Sequence, residues 1–255
     1  MGGRIIVAVN EAEGAQLSAA MERPAHPLLG RDAGIVAGCG PLGVQITDNL
    51  NDAVKECDVL IDFTNPRVSL KNMEVCALFG KAIVIGSTGF APDERALAHE
   101  LSKEIPAVLA PNMSVGVNVC FKVLADIARI LGDEFDVEIV EAHHRLKKDA
   151  PSGTAIRMGE VVAESLGRNY REVANCHREG ITGERPPKEI GMQTVRGGDI
   201  VGDHTVYFIG MGERIELTHR AHTRDMFSLG AVRAAKWVVG RKPGLYDMQD
   251  VLGLR

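Results

Sequence analysis

The feature that most constrains this chain is a rhythm of short apolar runs, each closed by a polar or glycine turn and followed by a helical stretch. DVLIDFT (58–64) reads as a strand and leads into a proline-initiated helix over 66–79. KAIVIGSTG (81–89) reads as a strand ending in Gly86-Ser87-Thr88, with an acid-started helix over 92–104 behind it, and PAVLAPN (106–112) is a further strand. AQLSAAME (15–22) reads as an earlier strand. Strands separated by helices need crossover connections, so they line up parallel with both sheet faces covered. Ligands of such sheets sit beyond the carboxyl ends of the strands. That places Thr64-Asn65, Gly86-Ser87-Thr88 and Asn112 around a nucleotide-type crevice.

After residue 114 the pattern changes. A long, mostly apolar helix is predicted over 114–131 with Ser114 as its cap. DVEIVEAHH (136–144) is a strand and 152–167 an amphipathic helix, after which strands at 189–196, 203–211 and 213–221 run on with no strong helix between them. Strands grouped in that way point to an α+β unit with its helices on one face of the sheet. A last helix is predicted over 226–240, and GLYDMQDVLG closes the chain. The expected architecture is α/β: a Rossmann-like parallel-sheet nucleotide domain, lacking its first strand, plus this second, α+β unit. The boundaries are 1–114, with 224–255 returning to the first domain, and 115–223.

Composition removes several classes of function. Aromatic residues make up 4% of the chain and the net charge is −5, which argues against a nucleic-acid surface. The longest apolar runs, such as AIVIG at 82–86, are too short to span a bilayer, and no signal peptide is visible. Cys39, Cys57, Cys76, Cys120 and Cys176 are scattered with no CxxC pair. They fit neither a zinc knuckle nor a disulfide framework, and an odd count suits the reducing cytoplasm.

The start of the chain carries part of a dinucleotide signature. Gly2-Gly3 precede a helix read through IIVAVNEAEG to Gly14, and Glu22 follows Gly2 by 20 residues. In a dinucleotide-binding unit, glycines open the first helix and an acid about 20 residues on takes the ribose hydroxyls. Glu22 suits NADH, whereas Arg23 beside it could accept a 2′-phosphate. No strand or leading glycine stands before Met1-Gly2, and the expectation drawn is a truncated or misassigned start.

The stretch EAHHRLKKDAPSGTA (141–155) carries the most chemistry. As a metal site it is poor: His143 and His144 on one strand point to opposite faces, and Arg145, Lys147 and Lys148 repel a cation. A solvated charged loop is the plain alternative. The third reading is an anion clamp, in which Pro151-Ser152-Gly153-Thr154 forms a helix N-terminus that favours a carboxylate. A lysine or histidine then delivers a proton.

That stretch resembles the signature of the 4-hydroxy-tetrahydrodipicolinate reductase (dihydrodipicolinate reductase) family. ERPAHPLLGRDAG (22–34), DVLIDFTNP (58–66), VIGSTGF (84–90), APNMSVGVN (110–118), REGITGERP (178–186) and RGGDIVGDHTVYF (196–208) are similar to further family blocks. The resemblance implies an NADH- or NADPH-dependent reduction of a cyclic, conjugated dicarboxylate in lysine and diaminopimelate biosynthesis, by a cytoplasmic homotetramer built through the sheets of a mixed-sheet substrate and oligomerisation domain. It implies His143 as acid/base residue, Lys147 as proton donor, and His144, Ser152, Gly153 and Thr154 around the substrate carboxylates. It further implies Gly86, Ser87, Thr88, Ala110, Pro111, Asn112 and Met113 beside the nicotinamide, Glu22 and Arg23 at the adenosine ribose, and Met1-Gly2 at the remnant of the glycine loop. No metal is implied, and no nucleic-acid or membrane partner. The alternative is a non-catalytic ligand-binding or assembly form of the same fold.

Overall fold

The computed structural model describes residues 1–255. The chain divides into two compact units, Met1–Val115 with Asp225–Arg255, and Gly116–Arg224.

The first unit is built on a four-stranded parallel sheet whose strands run in the order Gly244–Tyr246, Pro106–Leu109, Ala82–Ile85, Val59–Asp62. Every residue of Ala82–Ile85 is buried. Ala82 and Val84 face a cluster with Ala231, Ala235 and Val238 of helix Asp225–Val238, and Ile83 and Ile85 face Leu70, Met73 and Cys76 of helix Pro66–Leu78. This continuous apolar run is what a central parallel strand covered on both sides requires. Asn65 caps helix Pro66–Leu78 by accepting from the Val68 N–H at 3.2 Å, with Pro66 in the first turn where its missing N–H costs nothing.

A separate parallel pair, Ala20–Met21 with Ile46–Thr47, packs over helix Ala33–Ala37. The strand read over 15–22 is thus only two residues long. Alanine, serine and glutamine have little β preference, and Leu17 is instead spent against neighbouring side chains. A second correction concerns Gly2 and Gly3, which lie inside the first helix, Gly2–Glu11, rather than before it. Met1 takes the cap position and its carbonyl accepts from Arg4 and Ile5 at 2.9 and 3.2 Å.

The second unit is a five-stranded mixed sheet in the order Arg214–Ala221, Gly202–Ile209, Asp136–His143, Ile190–Arg196, Ala174–Asn175. Asp136–His143 is antiparallel to Gly202–Ile209 and parallel to Ile190–Arg196. Val137, Ile139, Ile190, Met192, Val206 and Phe208 form one core with helices Val115–Leu131 and Gly153–Ser165. Because side chains alternate along a strand, Tyr207 and Ile209 lie on the other face, as does Val195.

Candidate active site

The strand Asp136–His143 ends with alternate residues on the core face, so Glu141 and His143 point the same way. His143 Nδ1 lies 2.6 Å from Glu141 Oε2. Glu141 is 1% exposed, and Arg196 grips it through two N–H donors at 2.7 and 2.8 Å. The Ser152 N–H donates to Glu141 Oε1 at 3.0 Å and the Thr194 hydroxyl approaches it at 3.4 Å. Burial opposes the charge of Glu141, yet the bonds from Arg196, His143 and Ser152 outweigh it and hold the carboxyl below its ordinary range. His143 is also held below its ordinary value: burial, with Lys147 and Arg196 nearby, outweighs the pull of Glu141.

Ser152 caps helix Gly153–Ser165 by accepting from the Ala155 N–H at 3.2 Å, and its hydroxyl also bonds His204 Nε2 at 2.9 Å. The hydroxyl is committed inward at 2% exposure, so Ser152 frames the turn rather than presenting its oxygen outward. The helix has no acid in its first turn, which leaves the field at its N-terminus favourable to an anion. Gly153 is open around the position a Cβ would take. Lys147 is held by Asp149 at 2.8 and 2.9 Å. Arg224 lies 3.3 Å from the ring nitrogen of His144, so the two adjacent histidines have different partners.

The strand ends of the first unit gather the other expected residues. Gly86 follows Ile85, and the Phe63 ring packs against it so closely that a Cβ would meet it at 2.4 Å. Ser87 is buried with its hydroxyl 2.8 Å from that of Ser69, while Thr88 is exposed. Ala110 and Met113 are buried, Pro111 is exposed, and Asn112 accepts from the Ser114 N–H at 2.9 Å. Glu22 stands one residue past its strand with the exposed Arg23 next to it. Met1 supplies no side-chain acceptor to the first turn of helix Gly2–Glu11. An acid and an arginine at one strand end, with a helix start lacking a side-chain cap, are a donor and acceptor set that fits a dinucleotide.

Three members of the second unit's cluster escaped sequence reading. Glu141 was within the quoted stretch, and period-two alternation could have paired it with His143. Arg196 and His204 lie 55 and 63 residues from Glu141 in the chain, and although both fall in the block RGGDIVGDHTVYF, nothing local pairs them with Glu141 or Ser152.

A parallel-sheet nucleotide unit joined to a mixed-sheet unit with a histidine–carboxylate cluster defines a dinucleotide-dependent oxidoreductase of two domains. Models described as "Dihydrodipicolinate reductase, N-terminus" and "Dihydrodipicolinate reductase, C-terminus" match residues 1–113 and 116–252. The 4-hydroxy-tetrahydrodipicolinate reductase of Citrifermentans bemidjiense is 76% identical over 255 residues, all of this chain and 96% of that protein. The one from Geobacter sulfurreducens is 74% identical over the same span. Among solved structures, a dipicolinate-bound dihydrodipicolinate reductase from Paenisporosarcina sp. TG-14 superposes with a TM-score of 0.75 at 24% identity, covering 98% of this chain and 94% of that one. The chain belongs to the dihydrodipicolinate reductase family, whose members are NADH- or NADPH-dependent oxidoreductases.

Proposed function

We propose that this chain reduces 4-hydroxy-tetrahydrodipicolinate to tetrahydrodipicolinate, on the route to diaminopimelate and lysine, with His143 as acid/base residue and Lys147 as proton donor. The observation that carries the assignment of roles is the 2.6 Å pairing of His143 with a buried carboxylate, directly ahead of a helix N-terminus suited to anions. His144, Gly153 and Thr154 receive the substrate carboxylates, and Ser152 holds the turn that presents them. The charge on the substrate is stabilised by the helix start and by the cations that flank it.

Glu22 and Arg23 hold the adenosine ribose, with Met1 and Gly2 at the start of the first helix. Gly86, Ser87 and Thr88, together with Ala110, Pro111, Asn112 and Met113, line the nicotinamide side. Loss of the 4-hydroxyl as water gives the conjugated dihydrodipicolinate, to which NADH or NADPH held there would supply a hydride. Lys147 then gives up a proton where electron density has accumulated, and His143 exchanges protons beside it.

The sheet face carrying Tyr207, Ile209 and Val195 has no helix packed against it within its own unit, and Thr205 and Thr218 pair across it at 3.0 Å. This supports a homotetramer assembled through those sheets. Five unpaired cysteines support a cytoplasmic location.

The test is steady-state oxidation of NADPH with the purified chain, beside His143→Gln, Lys147→Ala and the double variant. Each single change is expected to lower kcat by about 100-fold or more while saturation by the dinucleotide stays near wild type. Near-wild-type turnover in the double variant would overturn the assignment.

A further inference from the structure

We infer that Glu141 and Arg196 are positioning residues for His143, fixing which ring nitrogen exchanges the proton and tying that ring to the turn at Ser152. The inference rests on the assignment of His143 to proton transfer.

A histidine at the end of a strand can rotate and can carry its proton on either nitrogen. Glu141 removes both freedoms. Its carboxylate is 2.6 Å from Nδ1. An ionised acid can only accept, so Nδ1 carries the hydrogen and Nε2 is left as the exchanging atom. Nε2 has room because Gly202 lies next to it: a Cβ there would stand 3.0 Å from that nitrogen.

Glu141 can stay ionised at 1% exposure only because its charge is met. Arg196 meets it with a two-pronged contact from the neighbouring strand, and the same Nη2 reaches the Asp149 carbonyl at 2.8 Å. Glu141 Oε1 also takes the Ser152 N–H at 3.0 Å. One carboxylate therefore orients the proton-transfer ring and anchors the first turn of the helix assigned to the substrate's carboxylates. Such a double tie links the position of the proton to the position of the anion, which is the geometry that orientation in the transition state demands.

The charged and titratable groups around His143 are Glu141 on its own strand, Arg196 on the next, Lys147 in the following loop, and His204 on strand Gly202–Ile209. His204 meets the His143 ring edge-on at 5.1 Å between centroids. His219, on strand Arg214–Ala221, acts electrostatically on His204. Among these, only Glu141 raises the His143 pKa; burial, Lys147 and Arg196 lower it.

The experiment uses the full chain as Glu141→Gln and as Glu141→Gln with Arg196→Gln, the double change leaving no buried charge unpaired. The readouts are the ¹⁵N shifts and titration of the His143 imidazole, assigned by their loss in His143→Gln, together with the pH profile of kcat. In the wild type the ring is expected as the Nδ1–H form. In both variants it becomes a mixture of forms, with the titration and the matching limb of the pH profile moved to lower pH. Turnover is expected to fall on the order of 100-fold, with the dinucleotide KM changed less than about 2-fold. A folded double variant with wild-type tautomer and pH profile would overturn the inference. If His143→Gln itself turns over normally, the assignment of His143 has failed instead, and the imidazole shifts still decide whether Glu141 orients the ring.

Discussion

The hydroxyl of Ser152 stands 2.9 Å from His204 Nε2, so one side chain both caps helix Gly153–Ser165 and bonds one ring nitrogen of a buried imidazole 52 residues away. Ser152→Ala removes both bonds. Loss of an N-cap costs about 1 kcal/mol, and a stranded buried polar atom adds about 1–3 kcal/mol. The expected result is a lower urea midpoint with an unchanged slope, measured by circular dichroism. A midpoint equal to wild type would show that neither bond contributes.

His204 predicts an acid-labile fold. Burial first, then the nearby His143, pushes its pKa from 6.5 down to about 4. Between those values the unfolded chain carries the proton and the folded one does not, so stability rises with pH across that window. The stabilising contribution is fully present above about 6.5 and is lost as pH falls toward 4. A shift of that size is worth about 3 kcal/mol. His143 and His219 are shifted the same way and add to the slope. Urea unfolding of the wild type and of His204→Gln at several pH values through this window checks it. The variant is expected to show the shallower dependence, and equal slopes would refute the assignment of the acid lability to His204.

Sequence periodicity carries far where elements are long and fails where they are short or where partners are distant. The strand at 136–144 and the helix behind it emerge within a residue or two, because alternation and the serine cap are local signals. The parallel strand Gly244–Tyr246 inside GLYDMQDVLG was not legible as a strand. Three residues show no period, and its identity depends on pairing with Pro106–Val108, far back in the chain. The candidate site divides along the same line. His143, Lys147 and the Ser-Gly-Thr turn sit in one stretch, whereas Arg196 and His204 reach Glu141 and Ser152 only through strand pairing. Ser87 illustrates a third case: its position at a strand end is legible, but its inward bond to Ser69 depends on how helix Pro66–Leu78 packs.

Gly202→Ala tests how tightly the His143 ring is placed. A methyl group there would lie 3.0 Å from Nε2 and 3.4 Å from Cδ2 of the ring, so the ring must give by a few tenths of an ångström. Misplacement on that scale is expected to lower kcat by about 10-fold, with the dinucleotide KM and the unfolding midpoint little changed. Wild-type turnover in Gly202→Ala would mean that the ring has freedom to move without loss.

Gly191 sits under a second, half-buried carboxylate, and its substitution probes the segment 176–189. Glu138 receives two bonds from Arg178 at 2.7 and 2.9 Å and one from Arg185 at 3.0 Å. Arg185 also bonds Asp136 at 2.7 Å and the Glu189 carbonyl at 2.7 Å. These contacts pin an otherwise exposed loop to strand Asp136–His143. A Cβ on Gly191 would lie 1.8 Å from Glu138 Oε2. The end of a glutamate is ordinarily free to swing aside, but here three guanidinium bonds hold it in place. Gly191→Ala must therefore break them or shift the strand, at a cost of about 1–3 kcal/mol. Limited proteolysis is the direct readout: cleavage within 176–189 is expected to accelerate in Gly191→Ala at a pH and temperature where the rest of the chain stays intact. Unchanged cleavage, with an unchanged urea midpoint, would show that the loop is held by something other than the Glu138 clamp.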